Sequence, residues 1–186
     1  SIANAEVLAM GAETFTQQNP LPAVPVEMNT ITQLQGGTVF LNEAFTQENL
    51  IQHQANNPHR IIHLATHAAF NPGTADHSYI QLWGDERLNL NEVQDLGWHD
   101  PSVDLLVLSA CQTAVGNADA EMGFAGLAVA SGVRSALASL WTVSDEGTLA
   151  LMAEFYDQID NASIKSEALR QSQLAMLNRT IQINGG

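Results

Sequence analysis

The sequence predicts an α/β domain built on a mainly parallel central sheet, and three observations predict it. Val103–Leu108 is an almost unbroken aliphatic run, the pattern of a strand buried on both faces of a parallel sheet. Arg60-Ile61-Ile62-His63-Leu64-Ala65-Thr66-His67 is a second β-leaning run of the same shape. Ahead of it the segments alternate strand, helix, strand, helix, the order that gives layered α/β folds.

Each element has its own signal. Ala5–Gly11 reads as a strand closed by glycine, and Asn19–Pro25 as a proline-punctuated connector. From Val26, apolar residues at Met28, Ile31 and Leu34 keep helical spacing until Gly36-Gly37. Thr38–Leu41 is a short strand. Thr46 is a fair N-cap for a helix that ends at Asn56-Asn57-Pro58. After the strand to His67, Phe70–His77 has loop chemistry. Ser78–Trp83 and Glu86–Leu90 alternate around Gly84-Asp85 as a small hairpin. Asn91–Leu96 is expected to be a short helix leading toward Val103.

The second half continues the alternation. Val115–Glu121 is expected to be flexible and acidic, and Gly123–Gly132 a helix of small residues suited to close packing on a sheet. Arg134–Trp141 reads as a further strand. Ser144-Asp145-Glu146 opens a helix to about Ile159, its acids placed where the helix dipole prefers them. Ser163–Arg179 is the last helix, with Ile164, Leu169, Leu174 and Leu177 roughly on one face.

Bulk properties narrow the function. With 186 residues and 45% hydrophobic content, one domain over residues 1–186 with a sizeable core is expected. Six basic against 20 acidic residues give a formal charge of −14. Neither nucleic acid nor an anionic membrane would attract such a surface. No apolar run approaches the roughly 20 residues of a membrane span. The only cysteine, Cys111, permits no internal disulfide, so no oxidising compartment is implied and a cytoplasmic location is expected. The chain opens at Ser1 and closes on Gly185-Gly186, which suggests a piece of a longer multidomain protein.

Chemistry gathers at two strand ends. The Val103–Leu108 run stops at Ser109-Ala110-Cys111, and the other strand stops at His67. Side chains at the carboxyl ends of parallel strands face the crevice where ligands bind. If the two strands are neighbours, thiol and imidazole emerge at one edge, the minimum arrangement for a cysteine nucleophile.

Four motifs in order, His63-Leu-Ala-Thr-His67, Leu108-Ser-Ala-Cys-Gln-Thr-Ala114, Gly123-Phe-Ala-Gly-Leu-Ala128 and Ala138-Ser-Leu-Trp-Thr-Val-Ser-Asp145, resemble those of the CHAT domain. This is a caspase-like module often found carboxyl-terminal to tetratricopeptide repeats. The resemblance runs from about Leu21 to about Leu177. It implies a caspase–haemoglobinase-like three-layer α/β/α sandwich and a cysteine endopeptidase acting on a protein or peptide substrate. It also implies an upstream repeat domain that regulates the activity. Carried over by motif, His67 is the general base and Cys111 the nucleophile, with the N–H groups of Ala68 and Cys111 forming the oxyanion hole. The family usually has glycine where Ala68 stands; alanine keeps the N–H but resists a positive φ. The Leu-Trp-x-Val-Ser-Asp stretch is also similar to one in separase, where an acidic residue helps bind the P1 side chain. By that analogy Asp145, with Glu146 beside it, would line a pocket for a basic P1 residue. The chemistry requires no metal or organic cofactor.

Plainer readings stand beside these. Cys111 could be an inert buried thiol and His67 a core histidine. Asp145 and Glu146 could be ordinary first-turn acids, and Asp119 and Glu121 solvated charge. His63 and His67 form an H-x₃-H pair, but on a strand such positions stand about 13 Å apart, too far to share one zinc ion. Packing near the site is the reading for His63, and core packing for Trp83, Trp98 and Trp141. The functional rival to a peptidase is a non-catalytic signalling or scaffold module that retains the fold; a small-molecule hydrolase with the same dyad is a third reading that nothing in the residues favours.

Overall fold

Five parallel strands, Gly37–Leu41, Val7–Gly11, Ile61–Ala65, Leu105–Leu108 and Ala136–Ala138 in that order across the sheet, form the centre of the molecule. The computed structural model describes residues 2–70, 78–109, 126–127, 129–139 and 144–178. In chain order the elements are β1 (Val7–Gly11), α1 (Val24–Gln35), β2 (Gly37–Leu41), α2 (Gln47–Asn56), β3 (Ile61–Ala65), β4 (Ala68–Ala69), β5 (Tyr79–Gln81), β6 (Arg87–Asn89), β7 (Leu105–Leu108), β8 (Ala136–Ala138), α3 (Asp145–Ile159) and α4 (Lys165–Leu177). A second sheet, β4-β5-β6, is small and antiparallel. The mainly parallel α/β prediction holds, and the architecture is consistent with a caspase-like fold.

The sheet has two apolar faces because its central strands are apolar at both strand parities. Val7, Ala9, Ile61, Ala65, Leu105 and Val107 pack with Met28 and Ile31 of α1 and Met152, Phe155 and Tyr156 of α3. Leu8, Met10, Ile62, Leu64, Leu106 and Leu108 pack on the other side with Leu50 of α2, the hairpin residues Ile80 and Leu88, and Trp98. Burying each of the Val, Leu, Ile, Met and Phe side chains contributes about 1.5–3 kcal/mol. Trp98 is fully buried in that core, and Trp83 packs partly buried against it; Trp141 lies outside the described residues.

Local signals explain the element ends. Thr46 Oγ1 accepts from Asn49 N at 3.2 Å and Ser144 Oγ from Gly147 N at 3.1 Å, the N-caps expected of those residues. Gly37 has φ 124°, and a Cβ there would stand 2.0 Å from Val7 O. Only glycine lets α1 turn straight into a strand paired with β1.

Three expectations need correction. In α1 Leu34 is exposed, and the buried set is Val24, Glu27, Met28, Ile31 and Gln35. The inward polar residues are kept because each finds a partner: Gln35 Nε2 donates to Tyr156 O at 3.1 Å, and Glu27 Oε1 meets His63 Nε2 at 2.9 Å. In α4 the apolar series does not form the buried face. Ile164, Leu174 and Leu177 are exposed, while Ala168 and Ser172 are buried. Small residues let α4 approach its neighbours closely, leaving the larger side chains at the margin. Asn91–Leu96 forms only a 3₁₀ turn, Val93–Leu96. Strand β4 was not foreseen; two residues are too short to carry a periodic signal. Residues 71–77 of the expected loop, the stretch 115–121, and residues 123–125 and 128 of the helix expected over 123–132 lie outside the described residues; 126–127 and 129–131 are helical.

Candidate active site

β3 and β7 are adjacent and parallel, with Ile61 opposite Leu105 and Leu64 opposite Leu108. The ladder continues one step further, Ser109 N donating to Leu64 O at 3.1 Å. His67 therefore follows β3 at the same sheet edge toward which β7 runs. Cys111, Asp119 and Glu121 lie outside the described residues.

The hairpin holds His67 in place. Thr66 Oγ1 donates to Gln81 O at 2.6 Å, and Gln81 N donates to His67 O at 2.9 Å. The buried Gln81 side chain then secures the hairpin turn, Nε2 donating to Gly84 O at 3.0 Å and Glu86 O at 2.9 Å. The backbone on both sides of the histidine is thus tied to β5.

The imidazole is 4% exposed and lies edge-on to Phe15, with ring centroids 4.6 Å apart. Its Nε2 stands 2.8 Å from Asn19 O. A carbonyl can only accept, so Nε2 carries the proton and, in the neutral ring, Nδ1 carries the lone pair. Nδ1 is buried and has no hydrogen-bond partner among the described residues.

Ala68 sits on β4, the edge strand of the small sheet. Gln81 N bonds His67 O, so the facing pair Ala68–Ile80 is of the non-hydrogen-bonded kind. The Ala68 N–H accordingly points away from β5, outward from the sheet edge. Asn4 and Asn42 are the only described non-glycine residues with positive φ. Alanine is therefore accommodated at position 68 without strain.

Asp145 begins α3, and its Oδ2 accepts from Ala23 N at 2.6 Å. Burial raises its carboxyl above the ordinary aspartate value; the Ala23 N–H opposes this, Glu27 and Glu146 add to it, and the charge of His67 opposes it. Asp145 and His67 are thus within electrostatic reach of each other, and both are anchored on one connector, through Ala23 and Asn19. Glu146 is exposed.

His63 belongs to a different environment. It is fully buried between α1 and α3, its Nδ1 3.0 Å from Tyr156 Oη and its Nε2 2.9 Å from Glu27 Oε1. Burial first, then the charge of Glu27, pushes the Tyr156 hydroxyl well above the usual phenol range. It stays protonated and donates to Nδ1, leaving Nε2–H to donate to the Glu27 carboxylate. Among the described residues no group of three His, Cys, Asp or Glu could hold a metal ion.

Sequence reasoning missed Asn19, Phe15, Thr66 and Gln81. Asn19 acts through its carbonyl, which every residue carries, so no signal existed. A glutamine inside an otherwise apolar hairpin strand was the one usable sign.

The sequence profile of the CHAT domain matches residues 1–182, nearly the whole length. The chain belongs to the CHAT domain family. The CHAT family is related to the caspase-like peptidases, and the parallel sheet and strand-terminal histidine of this CHAT domain fit that relation. No curated protein matches the sequence. Among the described residues of the CHAT domain, no helix is long and apolar enough to cross a membrane.

Proposed function

We propose that this CHAT domain is a cysteine endopeptidase acting on a protein substrate through His67 and Cys111. The observation that carries the reading is the buried Nδ1 of His67, which has no hydrogen-bond partner among the described residues and is held as the lone-pair nitrogen by the Asn19 carbonyl. In this reading Nδ1 takes the Cys111 thiol proton, the thiolate attacks the scissile carbonyl, and the imidazolium returns the proton to the leaving amine. The outward N–H of Ala68 and the N–H of Cys111 hold the developing oxyanion. Asp145 favours a basic P1 residue. A tetratricopeptide-type domain upstream regulates access.

The test is labelling with a peptidyl chloromethyl ketone bearing arginine at P1, followed by mass spectrometry. Alkylation should fall on Cys111, depend on His67, and exceed that by the aspartate-P1 analogue. Labelling at the rate of a free thiol, indifferent to His67 and to P1, sinks the reading and leaves a non-catalytic scaffold.

A further inference from the structure

The opposite edge of the sheet carries an unrelated feature. Arg60, Asp104 and Ser135 immediately precede β3, β7 and β8, and with the start of α4 they line a cavity of about 560 Å³. That volume lies within the range of small-molecule sites. Three of the six basic residues of the chain, Arg60, Arg134 and Lys165, stand around this one cavity, in a molecule whose formal charge is −14.

A single buried carboxylate serves these cations. Asp104 Oδ2 meets Arg60 Nε at 2.6 Å, and Oδ1 meets Arg134 Nη1 at 3.3 Å. Lys165 Nζ instead donates to two neutral oxygens, Asp104 O at 2.8 Å and Ser135 Oγ at 2.9 Å. Among the described residues Asp104 is the one acid lining the cavity, which leaves a surplus of positive charge. Burial holds Lys165 below the ordinary ammonium range; Asp104 opposes this, and the charges of Arg134 and Arg60 reinforce it. The Arg60 and Arg134 side chains remain 50% and 67% exposed, so part of each faces the solvent from which a ligand would arrive. The first turn of α4, whose Ile164 N-cap gives no side-chain hydrogen bond, adds a dipole of the same sign. Apart from Ser163 and Ser166, the rest of the wall is apolar, with Leu137, Phe155, Ile159 and Leu169.

We propose that this cavity binds a small organic anion, its carboxylate or phosphate head held by Arg60, Arg134 and Lys165 and its apolar tail lying against Leu137, Phe155 and Leu169. The site is separate from His67, which leaves the carboxyl end of the same sheet.

Isothermal titration of the domain with octanoate and with octyl phosphate tests this, with octanol and inorganic phosphate as partial ligands. Both amphiphiles should bind saturably, and the tighter one identifies the headgroup. Octanol and inorganic phosphate should each bind at least about tenfold more weakly, each lacking one half of the recognition. Arg134→Glu, at an exposed position, should weaken the amphiphiles at least about tenfold with no loss of fold by circular dichroism. Leu169→Trp should fill the apolar half and weaken them while leaving every cation in place. Failure of both amphiphiles to bind, binding by octanol equal to octanoate, or indifference to both substitutions overturns the proposal.

Discussion

His67 donates through Nε2 to the backbone carbonyl of Asn19 at 2.8 Å, and that one bond decides that Nδ1 carries the lone pair of the neutral ring. The acceptor is a main-chain atom, so Asn19→Ala should preserve it and change little. His67→Gln retains a donor for the carbonyl and loses the base. It should slow alkylation of Cys111 by a peptidyl electrophile by about 10²–10⁴-fold. Because Cys111 is the only cysteine, the labelled mass reports that site alone.

Gln81 is the indirect support of the same residue. Its side chain closes the hairpin turn while its backbone holds Thr66 and His67. Gln81→Leu removes the side-chain donor to the buried Leu82 O and the half-buried Gly84 O, while Glu86 O keeps its bond from Leu82 N, at about 1–3 kcal/mol. Labelling of Cys111 should slow while the His67-dependent pH profile keeps its shape. A changed profile would mean that Gln81 acts on the chemistry itself.

Asp145 carries a carboxyl raised mainly by burial. The fold therefore prefers the neutral form, and stability from this group falls as pH rises from its ordinary value of 3.8 through the raised one. Asp145→Asn keeps an acceptor for Ala23 N and removes the charge. Its melting temperature relative to the parent should be higher near neutral pH, with the difference disappearing below about pH 3.8. The preference for arginine over leucine at P1 should be lost in the same variant.

Burial lowers the pKa of His59 from 6.5; the nearby Asn57 backbone opposes this, His53 reinforces it and Glu6 opposes it. The unfolded chain then takes up the proton more readily than the folded one. The contribution is fully present above pH 6.5 and is lost as pH falls through the lowered folded value. His59→Phe keeps the backbone bonds with Gln54 and removes the titration. Denaturant midpoints of this variant should decline less between pH 7 and pH 5 than those of the parent.

The polar brace of Tyr156, His63 and Glu27 joins both helices of one layer to β3. Tyr156→Phe leaves His63 Nδ1 buried with no donor and should cost about 1–3 kcal/mol. Chemical denaturation measures it. A cost near zero would show that the hydroxyl contributes nothing to holding α1 and α3.

Much of the fold was legible in the chain. Aliphatic runs such as Ile61–Ala65 and Leu105–Leu108 have to be buried on both faces, and Thr46, Ser144 and Gly36-Gly37 end their elements by local chemistry. The strand-terminal place of His67 was equally legible, because it depends on where an apolar run stops. The buried faces of α1 and α4 were misread because hydropathy says which residues prefer burial. It does not say which polar residues, such as Glu27 and Gln35, will meet a partner.

By itself the sequence determined the layer order, the strand ends and the family. The tertiary structure alone decided which nitrogen of His67 carries the lone pair, which way the Ala68 N–H points, and that three of six basic side chains meet around Asp104. Burial preference and capping act within a few residues and are written into local sequence. Hydrogen bonds such as His67 to Asn19, and charge clusters such as Arg60 with Arg134 and Lys165, join distant segments and exist only once the chain has closed on itself.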